Sequence, residues 1–113
     1  MNWFSTKIRV ALLIEGVGLV RYMDSVHVFQ AENFGEAKQC ALKLGHEHEE
    51  ECLNSDQQRV HWRFKEIISL DLLGAELSSG CEVYSEPVEL RPDEHEPFDI
   101  DFDPQASQPT QTL

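Results

Sequence analysis

Between residues 4 and 14 the even positions Phe4, Ile8, Val10, Leu12 and Ile14 are apolar, while Ser5, Lys7 and Arg9 fall on odd ones. A period of two predicts a strand with one buried face. Gly16 and Gly18 interrupt the pattern and residues 20–31, rich in Val, Tyr and Phe, resume it, which predicts a β-hairpin with a longer loop. The period then changes. Asn33 stands three residues before Glu36 in a capping-box-like start, and Ala37, Cys40, Ala41 and Leu44 follow at helical spacing up to Gly45, a glycine placed to stop a helix of about three turns. Residues 46–58 hold Glu47, Glu49, Glu50 and Glu51, too many like charges to bury, and read as a solvated loop or a frayed helix end.

Residues 59–70 restore the alternation, with Val60, Trp62 and Phe64 on one side and His61, Arg63 and Lys65 on the other. After Gly74 and the turn signal Ser78-Ser79-Gly80, residues 81–89 predict a shorter strand that Pro87 weakens. The order ββαββ implies an α+β fold, a mainly antiparallel four-stranded sheet with one helix on one face. Its expected core is Phe4, Ile8, Val10, Leu12, Val60, Trp62 and Phe64 beneath Ala37, Cys40, Ala41 and Leu44. Met23, Phe29 and Ile67 fall on the opposite parity, where one short helix gives no cover, and a homodimer is the expected remedy.

A chain of 113 residues with 41% hydrophobic positions supports one core, assigned to residues 1–90. Residues 91–113 differ: prolines at 92, 97, 104 and 109 among Ser, Gln and Thr predict a disordered acidic tail that cannot offset the entropy of ordering it. The formal net charge is -12, and in the tail Arg91 alone stands against six acidic residues. Such charge disfavours nucleic-acid backbones and anionic membranes and favours a protein partner that is basic or offers a sheet edge. Three cysteines without a C-x-x-C pair read as free thiols, and a cytoplasmic location is expected. No run approaches the ~20 apolar residues of a membrane-spanning helix.

Four local patterns occur in series: Asn2-Trp3-Phe4, Phe29-Gln30-Ala31-Glu32, Val60-His61-Trp62-Arg63-Phe64 with Leu70 beyond, and Gly80-Cys81-Glu82-Val83-Tyr84-Ser85. Together, over about residues 2–86, they resemble a bacterial family of unknown function, DUF4288. The resemblance implies a small intracellular domain and carries over no catalytic or binding residue.

The chemistry-bearing groups are sparse. His46, His48 and Cys52 form an H-x-H-x3-C cluster that would suit zinc if the loop folded back, yet no fourth ligand follows at a motif-like spacing, and a polar loop with incidental histidines is the favoured reading. Gly16-Val17-Gly18 lacks the third glycine and the following helix of a dinucleotide loop. Ser5, Ser25, Ser69 and Ser85 sit in strand-like contexts without a nucleophile elbow, so no catalytic residue, cofactor or metal is assigned. The densest feature is basic: Arg59, His61, Arg63 and Lys65 share one side of their strand and join Lys7 and Arg9 if the first strand is oriented to match. Such a face is either paired across strands, with Glu82 and Glu86, or an anion or acidic-peptide site. In the tail, Phe98, Ile100 and Phe102 alternate with Asp99, Asp101 and Asp103, as in a linear motif for strand addition. The receptor of that motif is an external partner, or the Arg59, Arg63 and Lys65 face of the same chain or a dimer mate.

These features favour a non-enzymatic interaction module, of inhibitor, immunity or accessory-subunit type. The alternatives are a small metal-dependent enzyme built on His46, His48 and Cys52, or RNA binding by the basic strand face.

Overall fold

The computed structural model describes residues 1–111. It contains β1 (Asn2–Ile14), β2 (Gly18–Ala31), α1 (Phe34–Glu47), β3 (Glu50–Leu53) and β4 (Arg59–Gly74), followed by a short 3-10 turn at Pro104–Ala106. The strands form one antiparallel sheet in the order β2-β1-β4-β3, so the fold is the expected α+β arrangement of four strands and one helix. The β1–β2 hairpin turns on Gly16 and Gly18 at φ 83° and 90°, a region a side chain would strain.

One strand is not where its pattern was read. Residues 81–89 form no strand, and the fourth strand is instead β3, inside the segment expected to be a loop. Its glutamates are indeed unburied, since all four residues are exposed. An edge strand needs only backbone pairing, and β3 gains it through a tight connection. Asn54 Oδ1 accepts from the N–H groups of Asp56 and Gln58 at 2.9 Å each, and Gln57 takes φ 62°. Pro87 and the acidic side chains leave residues 81–89 without a ladder, and they touch the sheet only through side chains.

The helix begins as its cap predicts, with Asn33 Oδ1 accepting from Glu36 N–H at 2.8 Å. It does not stop at Gly45. That residue is buried, and a Cβ added there would lie 2.5 Å from the Phe64 ring, so its role is close packing of α1 on β4. The core under the helix is Phe4, Ala31 and Ala37, with Phe29, Cys40 and Leu70 against it. Ile8, Val10, Ala41 and Val60 are also buried, whereas Leu12, Leu44, Trp62 and Phe64 are only half-buried.

Register corrects the parity expected for three residues. Met23 pairs with Val10, Phe29 with Phe4 and Ile67 with Ile8, so all three share the face of the core. Ile67 arrives there because β4 carries an extra residue between the pairs Val10↔Phe64 and Arg9↔Glu66; a second extra residue follows it, between Ile8↔Ile67 and Lys7↔Ser69. Each such bulge flips the alternation of the residues that follow. The uncovered apolar residues of β2 on the outer face are others: Leu19, Tyr22, Val26 and Val28, each 41–49% exposed.

Candidate functional site

The basic residues do gather on one face. Lys7, Arg9, His61 and Arg63 lie opposite the helix, because Arg9 pairs with Asp24 and Glu66 while Ala11 and Leu13 pair with Arg63 and His61. Most of their charge is already answered. Arg9 donates twice to Asp24 at 2.8 Å, and that contact holds the Asp24 carboxyl below its ordinary range. Lys7 Nζ donates to Glu86 Oε2 at 2.7 Å and to Tyr84 Oη at 3.3 Å, which fastens residues 84–86 across the outer face and depresses the Glu86 carboxyl. Arg59 Nε donates to Glu15 Oε2 at 3.0 Å, and its backbone N–H and side chain together lower the Glu15 carboxyl.

His61 and its neighbours are less completely satisfied. Arg63 Nη2 lies 2.8 Å from His61 Nδ1, which as the acceptor leaves the proton on Nε2. That Nε2 lies 3.1 Å from Glu51 Oε1 but without hydrogen-bond alignment, so it remains unpartnered. Lys65 Nζ donates to Tyr22 Oη at 3.2 Å and sits 4.8 Å from its ring centroid. Among the described residues, neither Arg63 nor Lys65 has a carboxylate within 4.0 Å. Cross-strand pairing therefore accounts for most of the cluster. Glu86 was anticipated as a partner; Asp24 and Glu15 were not.

His46, His48 and Cys52 do not converge. His46 Nδ1 lies 2.7 Å from Glu49 Oε1 and holds that carboxyl low, while its ring meets Phe64 edge-on. His48 turns to the sheet, with Nδ1 at 2.9 Å from Leu44 O and its ring 5.0 Å from that of His27. Cys52 is exposed on β3. Among the described residues no three His, Cys, Asp or Glu side chains are placed to hold a metal ion.

A pair that the sequence reading passed over is Ser25 and His27, whose Oγ and Nε2 are 2.9 Å apart at the edge of a shallow cleft of about 310 Å³. Val10, Met23, Ser25, His48, Glu50 and Trp62 line this cleft, where α1 ends and leaves the sheet uncovered. Burial pushes the His27 imidazole down, with His48 adding to it, so the ring is neutral near pH 7 and no carboxylate orients it among the described residues. The pair lacks the orienting third group that an activated nucleophile uses.

The two long edges of the sheet present the remaining unpaired backbone. β4 is covered by β3 only along Arg59–Trp62, and the N–H of Phe64, two residues beyond, is capped by Glu49 Oε2 at 3.3 Å. β2 has a neighbour on one side alone, β1, and no strand, helix or acidic side chain caps its other side among the described residues. In the tail, Phe98 is fully exposed, Phe102 is 72% exposed and Ile100 is half-buried. A turn closed by Ile100 N–H on Pro97 O at 3.2 Å bends the segment, where an extended run was expected.

A four-stranded antiparallel sheet under one helix, with residues 84–86 fastened across its outer face, defines a small α+β domain. The chain belongs to the family described as Domain of unknown function (DUF4288), which matches residues 3–85 and so includes the Tyr84 end of this strap. No curated protein and no solved structure compared with the chain matches it. No helix among the described residues is long and apolar enough to cross a membrane.

Proposed function

We propose that this protein is a non-enzymatic protein–protein interaction module of the cytoplasm that takes up an extended partner segment as a fifth strand along β2. The observation that carries the proposal is the bare edge of β2: fourteen residues, regular in register from Ala31 back to Arg21, flanked by exposed Tyr22, Met23, Val26 and Val28. Such an edge offers backbone donors and acceptors at every second residue, with side-chain pockets between them. Left unused, it would be an aggregation hazard.

Support for this function over a metal-dependent enzyme comes from the divergence of His46, His48 and Cys52. Support over RNA binding comes from the internal pairing of Lys7, Arg9 and Arg59, and from Trp62 lying on the helix side instead of beside the cations.

The test is amide hydrogen exchange on β2 in complex with a partner isolated from the native cell, beside a Val26→Lys/Val28→Lys double variant. The outward amides of β2 slow in the complex, and the variant loses binding while melting within a few degrees of the parent, since both sites are exposed. A partner that binds with β2 exchange unchanged would refute the proposal.

A further inference from the structure

Residues 96–103, when extended, put Phe98, Ile100 and Phe102 on one side and Asp99, Asp101 and Asp103 on the other. The β2 edge is two-sided as well. Tyr22, Val26 and Val28 lie on its outer face, 41–43% exposed, and Arg21, Ser25 and His27 lie on its helix face. Neighbours across a ladder share a face, so only two matches exist. One sets the three apolar side chains along the outer face, where any three consecutive positions from Tyr22 to Val28 take in Asp24 with two of Tyr22, Val26 and Val28, and sets the three carboxylates on the side of Arg21. The other sets the carboxylates on the outer face beside Asp24 and the apolar side chains on the helix face among Met23, Ser25 and His27. Arg21 has no carboxylate within 4.0 Å among the described residues, so the first match answers a free cation while the second adds like charge.

In the single chain this segment stays off its own sheet, with Phe98 wholly exposed, so the occupant comes from another molecule. Resting on the strand addition at β2 argued above, the geometry points to residues 96–103 of a second copy as the added strand. The exchange is reciprocal and closes a twofold dimer. The Lys7–Glu86 contact fixes the start of the tail on the sheet, and the twelve residues from there to Phe98 span up to about 40 Å, enough to reach a neighbour. Once one tail docks, the second contact is intramolecular, so two modest contacts reinforce each other.

The experiment is sedimentation of the full chain at micromolar concentration, together with β2 amide exchange, for the parent and a Phe98→Ala/Phe102→Ala variant, whose changes fall on exposed side chains. The parent is dimeric with slowed β2 amides. The variant associates at least about tenfold more weakly and exchanges faster at β2.

A dimer that the variant leaves intact, with β2 still protected, would mean that β2 pairs with β2; this inference would fail and strand addition would stand. A monomer whose β2 amides are slowed by the tail at every concentration would place the tail on its own chain, overturning the second copy but not the edge. A monomer with fast β2 exchange overturns the inference outright, and the Val26→Lys/Val28→Lys experiment then decides strand addition separately.

Discussion

The sheet ends on two long edges built from different material. On one side stands β3, four exposed residues beginning Glu50-Glu51, and beyond it β4 departs three times from a regular register with β1. Glu49 caps the first N–H that β3 leaves bare. Shortness, charge and bulges are the means by which sheets discourage added strands, and this edge has all three. On the other side β2 runs fourteen residues with one register shift, near the hairpin turn, and with valines, a tyrosine and a methionine exposed. The two edges therefore differ in what they offer an added strand, and the proposed strand addition assigns that role to β2.

The contrast would lose its meaning if β2 were merely a loose strand. Phe4 tests this, because it is 1% exposed and lies between Phe29 of β2 and Leu72 of β4, against the edge of Phe34. Phe4→Ala should cost about 3–5 kcal/mol in chemical denaturation, the range for truncating a buried aromatic. Exchange should rise on both edges together. If β2 alone opened, its bare edge would reflect fraying.

A smaller perturbation sharpens the comparison from the guarded side. Glu50→Val with Glu51→Val removes two edge charges at exposed positions, and should change stability by no more than about 0.5 kcal/mol. Light scattering should nonetheless show self-association that grows with concentration, since β3 becomes a short apolar strand with nothing beside it. A variant as monodisperse as the parent would show that the glutamates guard nothing.

How legible this was in the sequence depended on whether a segment's signal lay in side-chain periodicity. β1, β2, α1 and β4 each place apolar side chains along one face, and period two or 3.6 announced them. β3 buries neither face, so it has no period to show; its only trace is the Asn54 turn, which binds its own backbone. Residues 81–89 erred in the opposite sense, showing alternation of Val83 with Glu82 and Tyr84 but making no ladder. Bulges leave no local mark either, which is why Ile67 was put on the wrong face. Within the candidate site the basic cluster and its partner Glu86 were legible and the other partners were not, because Asp24 and Glu15 come from separate parts of the chain and meet Arg9 and Arg59 only in the folded register.

The smallest effect belongs to the strap that crosses the outer face. Glu86 is lowered from its ordinary value of 4.5, first by the hydrogen bond from Lys7 and then by that from Tyr84. A carboxyl depressed in the folded state stabilises the fold above its unfolded value, and that share is lost as pH falls through the folded one. Lys7 is raised from 10.5, chiefly by Glu86, so its share is complete below 10.5 and disappears as pH rises through the folded value. The strap is therefore held from about pH 5 to about pH 10 and loosens on either side. Asp24, Glu15 and Glu49 are also depressed, so the melting temperature falls below pH 4.5 for reasons beyond the strap. Protonation meanwhile relieves the self-repulsion of a chain at -12, which opposes that fall. Comparing the parent with Glu86→Gln cancels these shared contributions. The variant should melt slightly lower at pH 7, and the gap should close as the pH is taken below 4.5, because a protonated Glu86 and a glutamine are then alike in charge. A gap that persisted unchanged at pH 3 would assign the difference to packing, and the ion pair with Lys7 would no longer be what holds the strap to the sheet.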